Sequence, residues 1–136
     1  MSAYAIDFET IHSYDTLRAG ITLPVTLGCN SLTIDFEAKL DTGSSHCIFE
    51  RRFGENIGIE IENGTPEQFG TTTSGFVAYG HEVTISVLSI ETYATVYFAE
   101  SPYFPRSVLG RQGFLDRVKL GLIDYEGKLL LSVYGE

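Results

Sequence analysis

The run Leu32-Thr33-Ile34-Asp35-Phe36-Glu37-Ala38-Lys39-Leu40 leads directly into Asp41-Thr42-Gly43-Ser44, and this passage decides the fold. Its apolar residues Leu32, Ile34, Phe36, Ala38 and Leu40 alternate with polar ones, the two-residue period of a half-buried strand. Asp41 therefore falls where an anchored strand gives way to a turn. A carboxylate in that place is rigidly held, Thr42 can hydrogen-bond laterally, Gly43 admits a close backbone approach, and Ser44 offers a donor to the acid. At average residue usage Asp-Thr-Gly arises by chance about once per several thousand residues, and this chain holds it once. The plain alternative is an Asx-type turn closing a hairpin, with Asp41 accepting backbone N–H groups and nothing more.

Around this motif the chain resembles the aspartic peptidases, whose signature is two hydrophobic residues, Asp, Thr or Ser, Gly, then Ser or Ala. Here the stretch is Lys39-Leu40-Asp41-Thr42-Gly43-Ser44, with Lys39 a departure from it. A second mark is Val108-Leu109-Gly110, followed by Arg111-Gln112-Gly113-Phe114-Leu115, and in order and spacing the two marks are similar to those of retropepsins. The resemblance covers residues 21–132. It implies an all-β, closed β-barrel-like acid-protease fold with one short helix, active as a symmetric dimer. It also implies structural roles for Gly110 and Arg111: the apolar-apolar-Gly stretch passes beneath the catalytic loop, and the Arg111 segment starts a helix. Between the marks, residues 69–83 resemble a flap, with Gly70, Thr71, Thr72, Thr73, Ser74 and Gly75 between apolar runs. A tip of small residues suits a mobile hairpin that closes over substrate, although idle hairpins share that composition.

Hydrolysing a peptide bond with carboxyls alone takes two of them, one to accept a proton from water and one to protonate the carbonyl oxygen. The chain supplies one, so two-fold symmetry is the simplest completion: Asp41 faces its symmetry mate across a homodimer. Carboxyls that close cannot both ionise cheaply and share one proton, behaviour for which aspartic peptidases are the standard illustration. The expected activity is therefore that of an aspartic endopeptidase on peptide or protein substrates, greatest at mildly acidic pH, without cofactor or metal. The resemblance makes Thr42 a tie to the partner's loop. Ser44 is expected to hydrogen-bond the outer oxygen of Asp41, and Ile48, Phe76, Val77, Val108 and Leu109 to line the site. In the family the Arg after the second mark pairs with an Asp four residues past the catalytic Asp, whereas this chain has Ser45 there. The alternative function is a retropepsin-like domain that binds peptides or assembles without cleaving them.

At 136 residues the chain suits a single domain, too short for a two-lobed, two-Asp enzyme. A formal net charge of −9, with no basic cluster beyond Arg51-Arg52, speaks against nucleic acid. The acidity favours basic substrates weakly, and a solvated acidic face is the plainer reading. Residues 1–18 lack a signal-peptide pattern, no apolar run reaches membrane-spanning length, and two cysteines, Cys29 and Cys47, suit a reducing compartment, so a cytoplasmic location without membrane partners is expected. Both thiols read as structural; oxidation of Cys47, if it lies behind the catalytic loop, is the rival. His12, His46 and His81 lack metal-ligand spacing, and no Gly-x-Ser-x-Gly elbow surrounds Ser44 or Ser45.

Elsewhere, Gly28-Cys29-Asn30 signals a hairpin and residues 50–57 a brief helical turn. Residues 76–90 and 91–99 read as long strands, and 111–118 as one or two helical turns. A hairpin is expected around Asp124-Tyr125-Glu126-Gly127. Residues 3–9 and 128–134 are candidates for strands paired across the dimer, as the resemblance implies, or for a tail folded on its own subunit.

Overall fold

In a computed structural model describing residues 3–70 and 73–134, β1 (Thr10–Ser13) precedes a hairpin of β2 (Thr22–Cys29) and β3 (Leu32–Leu40). The hairpin register runs from Thr22 opposite Lys39 to Cys29 opposite Leu32. It places Leu23, Val25 and Leu27 on one buried face with Phe36 and Ala38, while Asp35, Glu37 and Lys39 stay exposed. A one-residue slip would bury those charges, which is what fixes the pairing. The turn itself is Asn30-Ser31, both at positive φ (50° and 68°), so β2 extends through the Gly28-Cys29 expected to bend.

Past Asp41 come β4 (Ile48–Phe49), helix α1 (Arg51–Asn56), β5 (Thr65–Phe69) and β6 (Phe76–Val87). Then follow β7 (Ile90–Ala99), β8 (Val108–Leu109), β9 (Val118–Ile123) and β10 (Lys128–Val133). The chain is all-β with one short α-helix among the described residues. Helix α1 is held by packing: Phe53 stacks on Phe36 with ring centroids 4.1 Å apart, and a Cβ at Gly54 would sit 2.8 Å from Ile61 Cδ1. Arg51 ties the following loop by pairing with Glu55 and Glu62 and donating to the Glu100 carbonyl. Its guanidinium hydrogen bonds hold the Glu62 carboxyl below its usual range.

One sheet has the order β2-β3-β8-β4-β7-β6-β5, and β2 also pairs with β6, so the strands form a ring. The core fills it: Leu23, Leu27, Phe49, Val83, Ile85 and Phe98 are at most 1% exposed. A second sheet, β1-β10-β9, adds Leu129 and Leu131 to the same core.

Two expectations change here. Residues 3–9 form no strand; β1 lies at Thr10–Ser13 and pairs with β10 of its own chain, while β9 takes β10's other edge. The tail before β1 is fastened to that sheet through Ser132, whose hydroxyl accepts the Glu9 N–H and donates to the Asp7 carbonyl. The terminal strands are thus paired within one chain. Residues 111–118 contain no α-helix, only a 3-10 turn at Leu115–Arg117. Gly113 takes φ 101°, and its N–H goes to the Asp116 carboxylate at 3.0 Å rather than to a helical carbonyl.

Candidate active site

Strand β8 lies between the two strands that flank the Asp41 turn, parallel to β3 and antiparallel to β4. The turn is consequently laced to the segment crossing beneath it. Asp41 N–H donates to the Leu109 carbonyl, Arg111 N–H to Ser44 and Gln112 N–H to Ser45, each at 2.9 Å. At the crossing point stands Gly110, where a Cβ would overlap the His46 carbonyl and lie 2.7 Å from that of Ser44. The expected passage of Val108-Leu109-Gly110 under the motif is therefore seen, and Gly110 is required by backbone proximity. Arg111 contributes through its main chain: its side chain is exposed and meets no carboxylate among the described residues.

Asp41 is exposed at the head of this turn. Its Oδ1 accepts the Gly43 N–H at 3.0 Å, and its carbonyl accepts the Ser44 N–H at 3.1 Å. Thr42 is exposed too. Ser44 differs from expectation, since its hydroxyl donates to the His46 carbonyl at 2.7 Å rather than to Asp41. The turn doubles back over Ser44, bringing that carbonyl within reach before the acid is. His46 serves the loop: Nδ1 is 2.9 Å from the Ser45 hydroxyl, and the ring meets Phe69 and Tyr97 edge-on.

A groove of about 330 Å³ opens beside Asp41, with Ile48 and Val108 at its base and Phe69, Phe76, Phe104 and Arg106 as walls. The rings pack in series, Phe69 on Phe76 at 5.5 Å and Phe76 on Phe104 at 4.5 Å. Three of the expected lining residues, Ile48, Phe76 and Val108, are here. Leu109 is not; it is fully buried in the core. Val77 also lies outside the groove, because successive residues of β6 point to opposite faces. Sequence reading missed Phe69, Phe104 and Arg106. The last two sit in the irregular 101–107 loop, where no periodicity marks an inward side chain, and only their position just before Val108 could have flagged them.

The hairpin β5–β6 ends on the Phe69–Phe76 pair, so its loop end stands in the same groove as Asp41. Of the expected flap tip, Gly70 adopts φ 82° and Thr73, Ser74 and Gly75 are exposed, whereas Thr71 and Thr72 lie outside the described residues. A larger cleft, about 380 Å³, lies by the Asn30-Ser31 turn and contains no residue of the Asp41 turn. Size alone does not mark the site.

Cys47 is fully buried and accepts the Gly110 N–H at 3.4 Å. Burial pushes its thiol up to about 11, against the opposing effect of that hydrogen bond. A thiol so placed is unreactive near neutrality. In the native protein iodoacetamide should label Cys47 only on unfolding, read by peptide mass mapping; rapid stoichiometric labelling of the folded chain would restore the redox role.

Among the described residues no three His, Cys, Asp or Glu side chains are grouped to hold a metal, and no helix is long and apolar enough to cross a membrane. No protein-family model matches the chain, and no curated protein matches it at a significant level, so a functional reading stands on the motif residues and the geometry around them.

Proposed function

We propose that this chain is one half of a dimeric aspartic endopeptidase of retropepsin type, in which Asp41 and its symmetry mate activate a single water molecule. The observation that carries the reading is the exposed Asp41 turn, pinned by β8 between its own flanking strands at the edge of an aromatic-walled groove. In the dimer one carboxylate takes a proton from water as its oxygen attacks the peptide carbonyl. The other, protonated, carboxyl gives its proton to the carbonyl oxygen. Collapse of the tetrahedral diol then sends a proton to the departing nitrogen. Exposed Thr42 is available to the partner's loop, the ring of strands serves as the acid-protease barrel, and the β5–β6 hairpin closes over the substrate. Activity requires one retained proton, so it falls as pH rises far enough to strip the pair.

A non-catalytic peptide-binding or assembly domain is the second reading, favoured by Ser45 in the place of the family's acid and by Arg111 having no described carboxylate partner. Dilution separates the two. Turnover per chain on a general peptide substrate at acidic pH should fall in step with the dimer fraction measured by sedimentation. Turnover that stays constant into the monomeric range contradicts the shared site, and a stable but inert dimer favours the binding domain.

A further inference from the structure

The chain carries 18 acidic residues against 9 Lys and Arg, so an unneutralised cation stands out. Arg51, Arg52, Arg117 and Lys128 each face a carboxylate. Arg106 faces none among the described residues, and of the cations in that condition it is the one lining the Asp41 groove. Its guanidinium instead lies 5.4 Å from the centre of the Phe104 ring. The backbone beneath is firmly held: the Ser107 carbonyl accepts the Lys39 N–H, and the Ser107 hydroxyl joins the Glu50 N–H to the Glu50 carboxylate. An exposed positive group next to a wall of phenyl rings suits a chain presenting a large apolar side chain beside an anionic one.

We infer that the groove selects peptide segments in which an Asp or Glu adjoins a bulky apolar residue, with Arg106 receiving the carboxylate and Phe69, Phe76 and Phe104 the apolar group. This deepens the peptidase reading and rests on it for the location of the scissile bond. The negative charge of the Asp41 pair would otherwise repel acidic substrates; Arg106 offsets that repulsion within the groove. In a symmetric dimer each half supplies one such cation, so the preference can lie on either side of the cleaved bond.

The probes are internally quenched peptides with a central Phe-Leu pair, carrying Glu, Gln or Lys in turn at each of the two positions on either side. Cleavage is followed with the wild-type protein, and binding to Asp41→Asn by fluorescence anisotropy, at about pH 5.5 where a free Glu is mostly ionised. At one position or more, Glu should exceed Gln by about fivefold in kcat/KM and in affinity, with Lys worse than Gln. Salt should shrink the ratio, Arg106→Gln abolish it, and Arg106→Glu turn it toward Lys. Glu and Gln within about twofold at every position, or a preference that survives Arg106→Gln, overturns the inference. Cleavage without charge preference leaves the peptidase reading standing alone. Arg106-dependent binding without cleavage sinks the peptidase reading and keeps the charge selectivity, and neither binding nor cleavage overturns both.

Discussion

Asp41→Asn is expected to lower kcat for peptide hydrolysis by about 10³-fold or more while leaving the folded structure intact. The side chain is exposed, and the contact it makes, Oδ1 accepting the Gly43 N–H, is one an amide oxygen keeps. A surface change that preserves its hydrogen bond shifts stability by no more than about 0.5 kcal/mol. The amide cannot accept water's proton, however, and in a symmetric dimer both acids are lost together. Steady-state cleavage and a thermal melt, run side by side, check the two halves of the expectation. Hydrolysis within about tenfold of wild type would remove Asp41 from the mechanism.

Gly110→Val is expected to have the largest effect on stability. Two chain segments meet there: β8 beneath, and the loop that carries the Ser44 and His46 carbonyls above, with no room for a Cβ. Because those neighbours are backbone, no rotamer change relieves the overlap. The Arg111 and Gln112 hydrogen bonds to Ser44 and Ser45 must lengthen or break. Overpacking at a site that cannot yield costs about 3 kcal/mol. In a domain of this size that lowers Tm by about 10 °C, and the displaced Asp41 turn should lose activity with it. A variant melting within about 2 °C of wild type would mean that the crossing is looser than its geometry implies.

Asp41 was visible in the sequence from a local pattern, whereas Gly110 was marked only by the resemblance that Val108-Leu109-Gly110 carries. Strict alternation from Leu32 to Leu40 marks a strand buried on one face, and its end fixes where Asp41 must stand. The β9–β10 hairpin was legible for a similar reason: Gly127 at φ 67° sits where only a turn tolerates it. Where burial is two-sided or the chain irregular, that information is gone. Val108 and Leu109 are equally apolar neighbours, yet one borders the groove and the other lies in the core, a difference set by β3 and β4 on either side. Phe104 and Arg106 are brought to the groove by a loop whose path depends on the Ser107 hydrogen bonds. The one or two helical turns expected over 111–118 reduce to the single 3-10 turn at Leu115–Arg117, because local polarity does not register what Gly113 and the Asp116 carboxylate do to the backbone before it. Residues 3–9, a strand candidate through the resemblance, stay outside the sheet, and it is Thr10–Ser13 that pairs, opposite Leu131 to Lys128.

A shared site requires two Asp41 carboxyl groups to meet across a symmetric assembly, and the separation between them in a crystal structure of the associated protein tests this most directly. Oxygen atoms of the two groups should approach to about 3 Å, close enough to share a proton and hold one water. Carboxyls separated by more than about 6 Å would contradict it, as would a chain that stays solitary at the concentrations where it cleaves.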